Sequence, residues 1–245
     1  MGFARKAQYL FGLHPDIAIV PECSKSALPE VRKYGYSGLW VGSNPQKGLA
    51  VFCRNDLTAV PSDEALAKWV TTIQVKGPTR FNLVGVWACP AGNHLDNYIG
   101  QVYRCVADHA TWFNRKPVVV AGDFNSNARW DKERPGRNHT EVVRLLEAYG
   151  TLSAYHAHFG EKQGAETRPT YYFHHRQDKP FHIDYIFAPR VWPVRSVQVG
   201  SFEEWGRLSD HVPVIVDLEM IRDVRHSRIT VGGPELRLGK HRKKA

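Results

Sequence analysis

The chain has 245 residues, of which 42% are apolar by type, and this suits one globular domain with a sizeable core while excluding a disordered or low-complexity chain. No apolar run approaches the ~20 residues of a membrane span, and the opening "MGFARKAQYLFGLHPDIAIVPE" lacks the apolar core and small-residue cleavage site of a secretory signal, so a cytoplasmic protein is expected. A net charge of +9 favours an anionic partner.

In chain order, "FARKAQYLFGL" spaces Phe3, Ala7, Leu10 and Phe11 at helical intervals and stops before Pro15. "DIAIVPE" then reads as a short buried strand ending at Glu22. Further strands are expected at "GLWVG" (38 to 42), "KGLAVFCR" (47 to 54), "WVTTIQVKG" (69 to 77) and "FNLVGVWACP" (81 to 90). Residues 95 to 114 place Leu95, Ile99, Val102, Val106 and Ala110 on one stripe and predict a single helix feeding the strand "VVVAGD". A second helix runs from about Thr140 to Gly150, with Gly150 as its C-terminal cap.

The last third is β-rich: "PTYYFHH", "FHIDYIFAP", "VRSVQVGSF" and "DHVPVIVDLEM". Strands outnumber helices without a strict βαβ rhythm, which predicts an α/β protein built on sheets packed face to face. Residues 221–245 hold eight Lys/Arg against Asp223 and Glu235, so +6 of the +9 sits in a basic tail, a mobile solvated terminus or a nucleic-acid handle. Residues 1–220 form the expected domain. The widely spaced Cys23, Cys53, Cys89 and Cys105 contain no CxxC pair, and buried free thiols are expected.

Acids recur at strand ends. Glu22 closes "DIAIVPE", Asp123 and Asn125 close "VVVAGDFN", Asp184 sits in "HIDYIF", and Asp210 and His211 open "SDHVPV". One such Asp is ordinarily a turn former. A carboxylate beside every long apolar strand is different, because each costs several kcal/mol to desolvate unless paired, hydrogen-bonded or ligating a metal. The Asp/Glu/Asn/His donor set, free of thiolates, suits Mg²⁺, with Mn²⁺ as substitute, better than zinc. His156, His158, His174 and His175 lie in polar stretches and read as surface residues. Strand alternation places Asp123 and Asn125 on one side of their strand, as a titratable base and a neutral hydrogen-bond donor.

The ordered set "VPECSK", "GLAVFCR", "AGDFNSN", "HIDYIF" and "LSDHVPV" resembles the endonuclease/exonuclease/phosphatase superfamily, which includes deoxyribonuclease I-like enzymes and AP endonucleases, from about Phe3 to Leu218. The resemblance implies a two-layer α/β sandwich of mixed sheets flanked by helices, and Mg²⁺-dependent phosphoester hydrolysis. By motif it implies Glu22 as principal metal ligand and Asp210 as second ligand or orienting partner of the catalytic histidine. His211 resembles the histidine that contacts the scissile phosphate, and Asp184 the acid that orients it. Asp123 and Asn125 resemble the pair that positions the attacking water and holds the phosphate.

Two departures stand out. Relatives begin one strand earlier, with an Asn that helps coordinate the metal, whereas Met1-Gly2 here runs into the first helix; weaker metal affinity and an exposed strand edge are expected. Relatives also place a His or Tyr near the strand end where Trp87 and Ala88 stand; Asn93 or His94 is a substitute, and a helix-entry role is the plainer reading.

Fold alone does not select a substrate. The basic balance and the loop "NARWDKERPGRNH", with Arg129 beside Trp130, favour a nucleic-acid backbone over the cleft, and Asn93, Arg129 and Trp130 are the expected substrate contacts. The expected function is a Mg²⁺-dependent nuclease acting on DNA, or on RNA, with little sequence readout. The alternatives are a phosphatase or phosphodiesterase of a small substrate and a catalytically weak nucleic-acid-binding protein on the same scaffold.

Overall fold

The protein, seen as a computed structural model, is described over residues 3–62, 69–90, 96–133 and 136–221. Its regular elements are α1 (Phe3–Gly12), β1 (Ile17–Cys23), α2 (Ala27–Glu30), β2 (Tyr36–Asn44), β3 (Lys47–Arg54), β4 (Thr58–Pro61), β5 (Val70–Lys76) and β6 (Phe81–Trp87). Then come α3 (Ile99–Asp108), α4 (Ala110–Arg115), β7 (Val118–Asp123), α5 (His139–Ala148), β8 (Thr151–Ser153) and α6 (Ala154–Phe159). The last are β9 (Tyr171–Tyr172), β10 (Pro180–Phe181), β11 (Asp184–Pro189), β12 (Val194–Val199), α7 (Phe202–Trp205) and β13 (Val214–Leu218).

A six-stranded mixed sheet runs in the order β4-β5-β6-β7-β11-β8, with β6 and β7 parallel. Facing it lies the antiparallel sheet β1-β3-β2, while β12 pairs with β13. All seven residues of β6 are buried, which is what a strand covered on both faces requires of its sequence. One core fills the space between the sheets, where Val51 and Cys53 of β3 meet Ile73, Leu83, Val119 and Ala121. A second covers the far face, where Val84, Val120 and Phe187 pack against Ile99, Val106 and Leu146 of the helices. A third lies under α1, where Ala7 and Phe11 meet Phe52. Layers of helix, sheet, sheet and helix result: the packed sheets are those the strand-rich pattern predicts, and the outer helices those the family resemblance implies.

The expected helix over 95 to 114 is two helices broken at His109, which leaves helical geometry (φ −123°, ψ 42°). Its ring Nδ1 lies 3.0 Å from the Cys105 carbonyl, a local side-chain bond that competes with the helix backbone. By contrast α5 starts as its polar entry suggests: Asn138 accepts a hydrogen bond from the Glu141 amide, and Asp131 takes the amides of His139 and Thr140. Gly150 follows that helix at a φ of 73°. All four cysteines are free and buried, and burial pushes Cys53 up to about 11 and Cys23 to about 12. The basic tail from 222 onward lies outside the described residues.

Among the described residues β1 pairs only with β3, and β13 only with β12. Each therefore shows an open edge, and the apolar Val214, Ile215 and Val216 of β13 stay half-exposed.

Candidate active site

The glycine of "GDFN" is dictated by the sheet. Gly122 pairs with Val86 across the parallel β6–β7 ladder at a φ of 137°, and a Cβ there would stand 2.0 Å from the Val86 carbonyl oxygen. No other residue fits that approach. The phenylalanine anchors the turn, because Phe124 is fully buried against Tyr185 and Phe187. Asp123 and Asn125 do meet, but not by strand alternation. β7 ends at Asp123, and Asn125 adopts the left-handed region (φ 45°) in a turn closed by its own amide, 2.8 Å from Asp123 Oδ1. The Asn125 side-chain amide donates to Asp123 Oδ2 at 2.8 Å.

Register brings the next acid in. Asp184 opens β11 directly opposite Asp123, so two carboxylates share one end of the sheet. Asp184 Oδ2 holds His211 Nδ1 at 2.9 Å, leaving the far ring nitrogen, Nε2, for another partner. Burial first, then the Asp184 charge, push Asp123 up to about 8, against the pull of His211 and the Asn125 amide. Burial disfavours the charged form of His211, yet the Asp184 charge and hydrogen bond outweigh it and lift the imidazole to about 9. The site thus pairs an imidazole whose charged form Asp184 favours with a carboxyl that burial holds above the usual range.

Glu22 reaches the site differently. It sits at a φ of 56° where the β1–β3 register slips between Val20 and Cys23, and β1 crosses over β6 and β7. Its carboxylate is exposed and pairs with Lys47 at 2.8 Å. Asp210 donates no strand pairing of its own; its carbonyl accepts the Tyr172 amide at 2.7 Å. Burial first, then the charges of Asp210, Asp123 and Glu22, push the pKa of the Tyr171 phenol upward.

Among the described residues no group of three or more His, Cys, Asp or Glu side chains forms a ready metal cage. Mg²⁺ needs none, since it keeps several waters and takes one or two carboxylates plus substrate oxygens. The exposed Glu22 carboxylate, paired with the Lys47 ammonium, and Asp210 fit that mode.

The expected substrate contacts divide. Arg129 is exposed and Trp130 half-buried, on a short 3₁₀ turn over Ala128–Glu133. Trp130 packs on Phe181 (centroids 5.5 Å), Phe181 on Tyr171 (6.3 Å) and Tyr171 on His211 (4.6 Å), an aromatic path leading into the site. Asn93, like His94, lies outside the described residues. Trp87 and Ala88 are buried, with Trp87 against Trp69, and belong to the core. His158, His174 and His175 are exposed as expected, but His156 is not a surface residue: its ring bonds Ser153, Gln163 and Glu166, whose side chain is wholly buried.

Sequence reasoning passed over Tyr171 and Thr170. Both lie in "PTYYF", which carries a strand signal but no charged group to mark it; its pairing with β10 and the bridge between Tyr171 and His211 show where that strand goes.

Known structures share this architecture. A Neisseria 3′ phosphatase bound to product DNA hairpin is 19% identical, with a TM-score of 0.62 over 89% of this chain and 96% of that one. An AP endonuclease from Archaeoglobus fulgidus is 16% identical, with a TM-score of 0.63 over the same shares, 89% and 96%. A mannosyl-6-phosphatase from Bacteroides thetaiotaomicron is 17% identical, with a TM-score of 0.62 over 89% and 91%. At such identities the likeness speaks for the fold. No curated protein sequence matches the chain. The model of the endonuclease/exonuclease/phosphatase family matches residues 7–211, which span α1 through His211 and hold every acid of the site, and the chain therefore belongs to the endonuclease/exonuclease/phosphatase family.

Proposed function

We propose that this phosphodiester hydrolase is a Mg²⁺-dependent nuclease that cleaves DNA, in preference to RNA, with little sequence readout. The observation that carries the reading is the paired geometry of Asp123–Asn125 and Asp184–His211 at one sheet end. A phosphodiester is anionic, so attack by water requires positive charge beside the phosphorus and a base for the water's proton. His211, held by Asp184 through Nδ1, presents Nε2 as a fixed cationic donor to a phosphoryl oxygen. Asp123 takes the proton from water as its carboxylate, the form that the His211 charge and the Asn125 amide favour against burial. Asn125 cannot titrate; one amide hydrogen steadies Asp123 and the second is available to a phosphoryl oxygen. Members of the family are typically metal-dependent, and Glu22 and Asp210 are the residues that would hold Mg²⁺, or Mn²⁺ in its place. When bound, the ion supplies charge neutralisation and polarisation of the phosphoryl group.

Nucleic acid is favoured by the net charge of +9 and by the path from Arg129 and Trp130 to His211, which suits a backbone with stacked bases. The DNA hairpin seen with the Neisseria phosphatase is consistent with this reading. A second reading, a phosphatase of a small phosphorylated substrate, draws on the equal likeness to the mannosyl-6-phosphatase.

Supercoiled plasmid incubated with the protein and Mg²⁺, Mn²⁺ or EDTA separates the two. Metal-dependent nicking that His211→Ala abolishes supports the nuclease. Turnover of p-nitrophenyl phosphate without nicking supports the phosphatase. DNA binding without either activity, unchanged by Asp123→Ala, would overturn both in favour of a binding protein.

A further inference from the structure

The dyad of Asp184 and His211 comes from two segments that are not hydrogen-bonded strand neighbours: Asp184 opens β11, whereas His211 precedes β13, which pairs with β12. Their 2.9 Å contact therefore needs something to hold the two backbones together. One fully buried residue does so, beside the backbone bond from the Tyr172 amide to the Asp210 carbonyl. Thr170 Oγ1 accepts from the backbone amides of Ile183 (3.0 Å) and Asp184 (3.1 Å), while the Thr170 carbonyl accepts from the amide of Val212 (2.8 Å), one residue past His211. The Thr170 amide itself donates to the Phe181 carbonyl at 2.9 Å.

The same fastening extends to the base. The Ile183 carbonyl accepts the Phe124 amide at 2.9 Å, between Asp123 and Asn125. Upstream of Thr170, the buried Glu166 carboxylate accepts from Asn127 and contacts His156, and Asn127 also donates to the His182 carbonyl. The stretch from Glu166 to Tyr172 is thus sewn to all three segments that carry the titratable groups.

We propose that Thr170 is a positioning residue: its hydroxyl oxygen and carbonyl set the separation of Asp184 and His211, and so the aim of the His211 ring at the substrate. The proposal rests on the hydrolase reading above for its catalytic consequence, but not for its geometric one. An ångström of misplacement in such a group is worth on the order of 100-fold in rate. Valine matches threonine in shape but removes the hydroxyl, donor and acceptor together, and leaves the backbone carbonyl bond to Val212 in place.

The test compares wild type with Thr170→Val and Thr170→Ser on bis(p-nitrophenyl) phosphate with Mg²⁺. In parallel, the downfield ring N–H proton of His211 is read by NMR in metal-free protein and assigned by its absence in His211→Ala. Thr170→Val is expected to lower kcat by roughly 10- to 100-fold with KM within about threefold. The His211 proton should shift or broaden, and Thr170→Ser should restore both. If the valine variant does not fold, Thr170→Cys, with its weak acceptor, is read by the same criteria. A folded variant with kcat within threefold of wild type and an unchanged His211 proton would overturn the proposal. A wild type that turns over no phosphoester sinks the hydrolase reading alone, because the NMR comparison still decides whether Thr170 holds the dyad.

Discussion

The two sides of the site are built to different standards. On the β7–β11 side, Asp123 and Asp184 face each other in strand register, one carboxylate is closed by an Asx turn and the other by an imidazole. On the β1 side, Glu22 hangs from a register slip at an edge left open among the described residues, paired with the exposed Lys47. The contrast matches the chemistry proposed for each. Groups that move protons must be held before substrate arrives, whereas a carboxylate that exchanges a hydrated cation works from a wetter, looser position.

Breaking the rigid side should have the largest effect. His211→Ala is expected to lower kcat by about 10²- to 10⁴-fold and also to lower the melting temperature, since it leaves the part-buried Asp184 unpaired, measured by plasmid nicking and calorimetry. A variant that retains wild-type rate would remove the imidazole from the mechanism.

Next comes the glycine that lets β7 approach β6. Gly122→Ala forces a Cβ toward the Val86 carbonyl at a φ of 137°, and a loss of about 3 kcal/mol in urea unfolding is expected. The corresponding change at Gly136, also at positive φ but with nothing within reach of a Cβ, should be milder, near 1 kcal/mol.

The rigid side should also carry an acid sensitivity. His139 is fully buried against Tyr185, and burial pulls its ring from 6.5 to about 4, against its bond to Gln163. The unfolded chain then binds the extra proton first. Stability from this group is complete above pH 6.5 and falls as pH drops toward 4, by up to roughly 3 kcal/mol. His182, whose pKa is lowered in the same direction by burial, adds to the trend. Urea midpoints at pH 7 and pH 5 test it, and His139→Gln should flatten the difference.

The loose side should respond weakly in stability and clearly in metal binding. Glu22→Gln is expected to weaken Mg²⁺ by about tenfold, and Lys47→Ala to tighten it, while neither changes stability by more than about 1 kcal/mol, the ordinary worth of an exposed ion pair. Isothermal titration would show it; unchanged affinity in both variants would take Glu22 out of the ligand set.

Legibility in the sequence follows the same division. β3 matches its expected bounds to the residue, because six consecutive buried positions flanked by Lys47 and Arg54 leave only one reading. Short β4 and β8 were not foreseen, since four and three residues carry too little pattern to stand apart from loop. The helix break at His109 escaped a stripe that continues across it. Asp123, Asn125, Asp184 and His211 were marked by polarity against apolar strands, yet the meeting of Asp123 with Asn125 depended on a left-handed turn that alternation does not predict.

The ordered motifs alone resemble the family, and residue pattern predicts packed sheets with acids at the strand ends, because burial periodicity and the penalty on lone carboxylates are written residue by residue. Only folding decides that Asp123 faces Asp184, that Asp184 reaches His211, and that Thr170 ties them. Those relations join residues as much as 61 positions apart, from Asp123 to Asp184, and arise from strand register and long-range hydrogen bonds that no local pattern encodes.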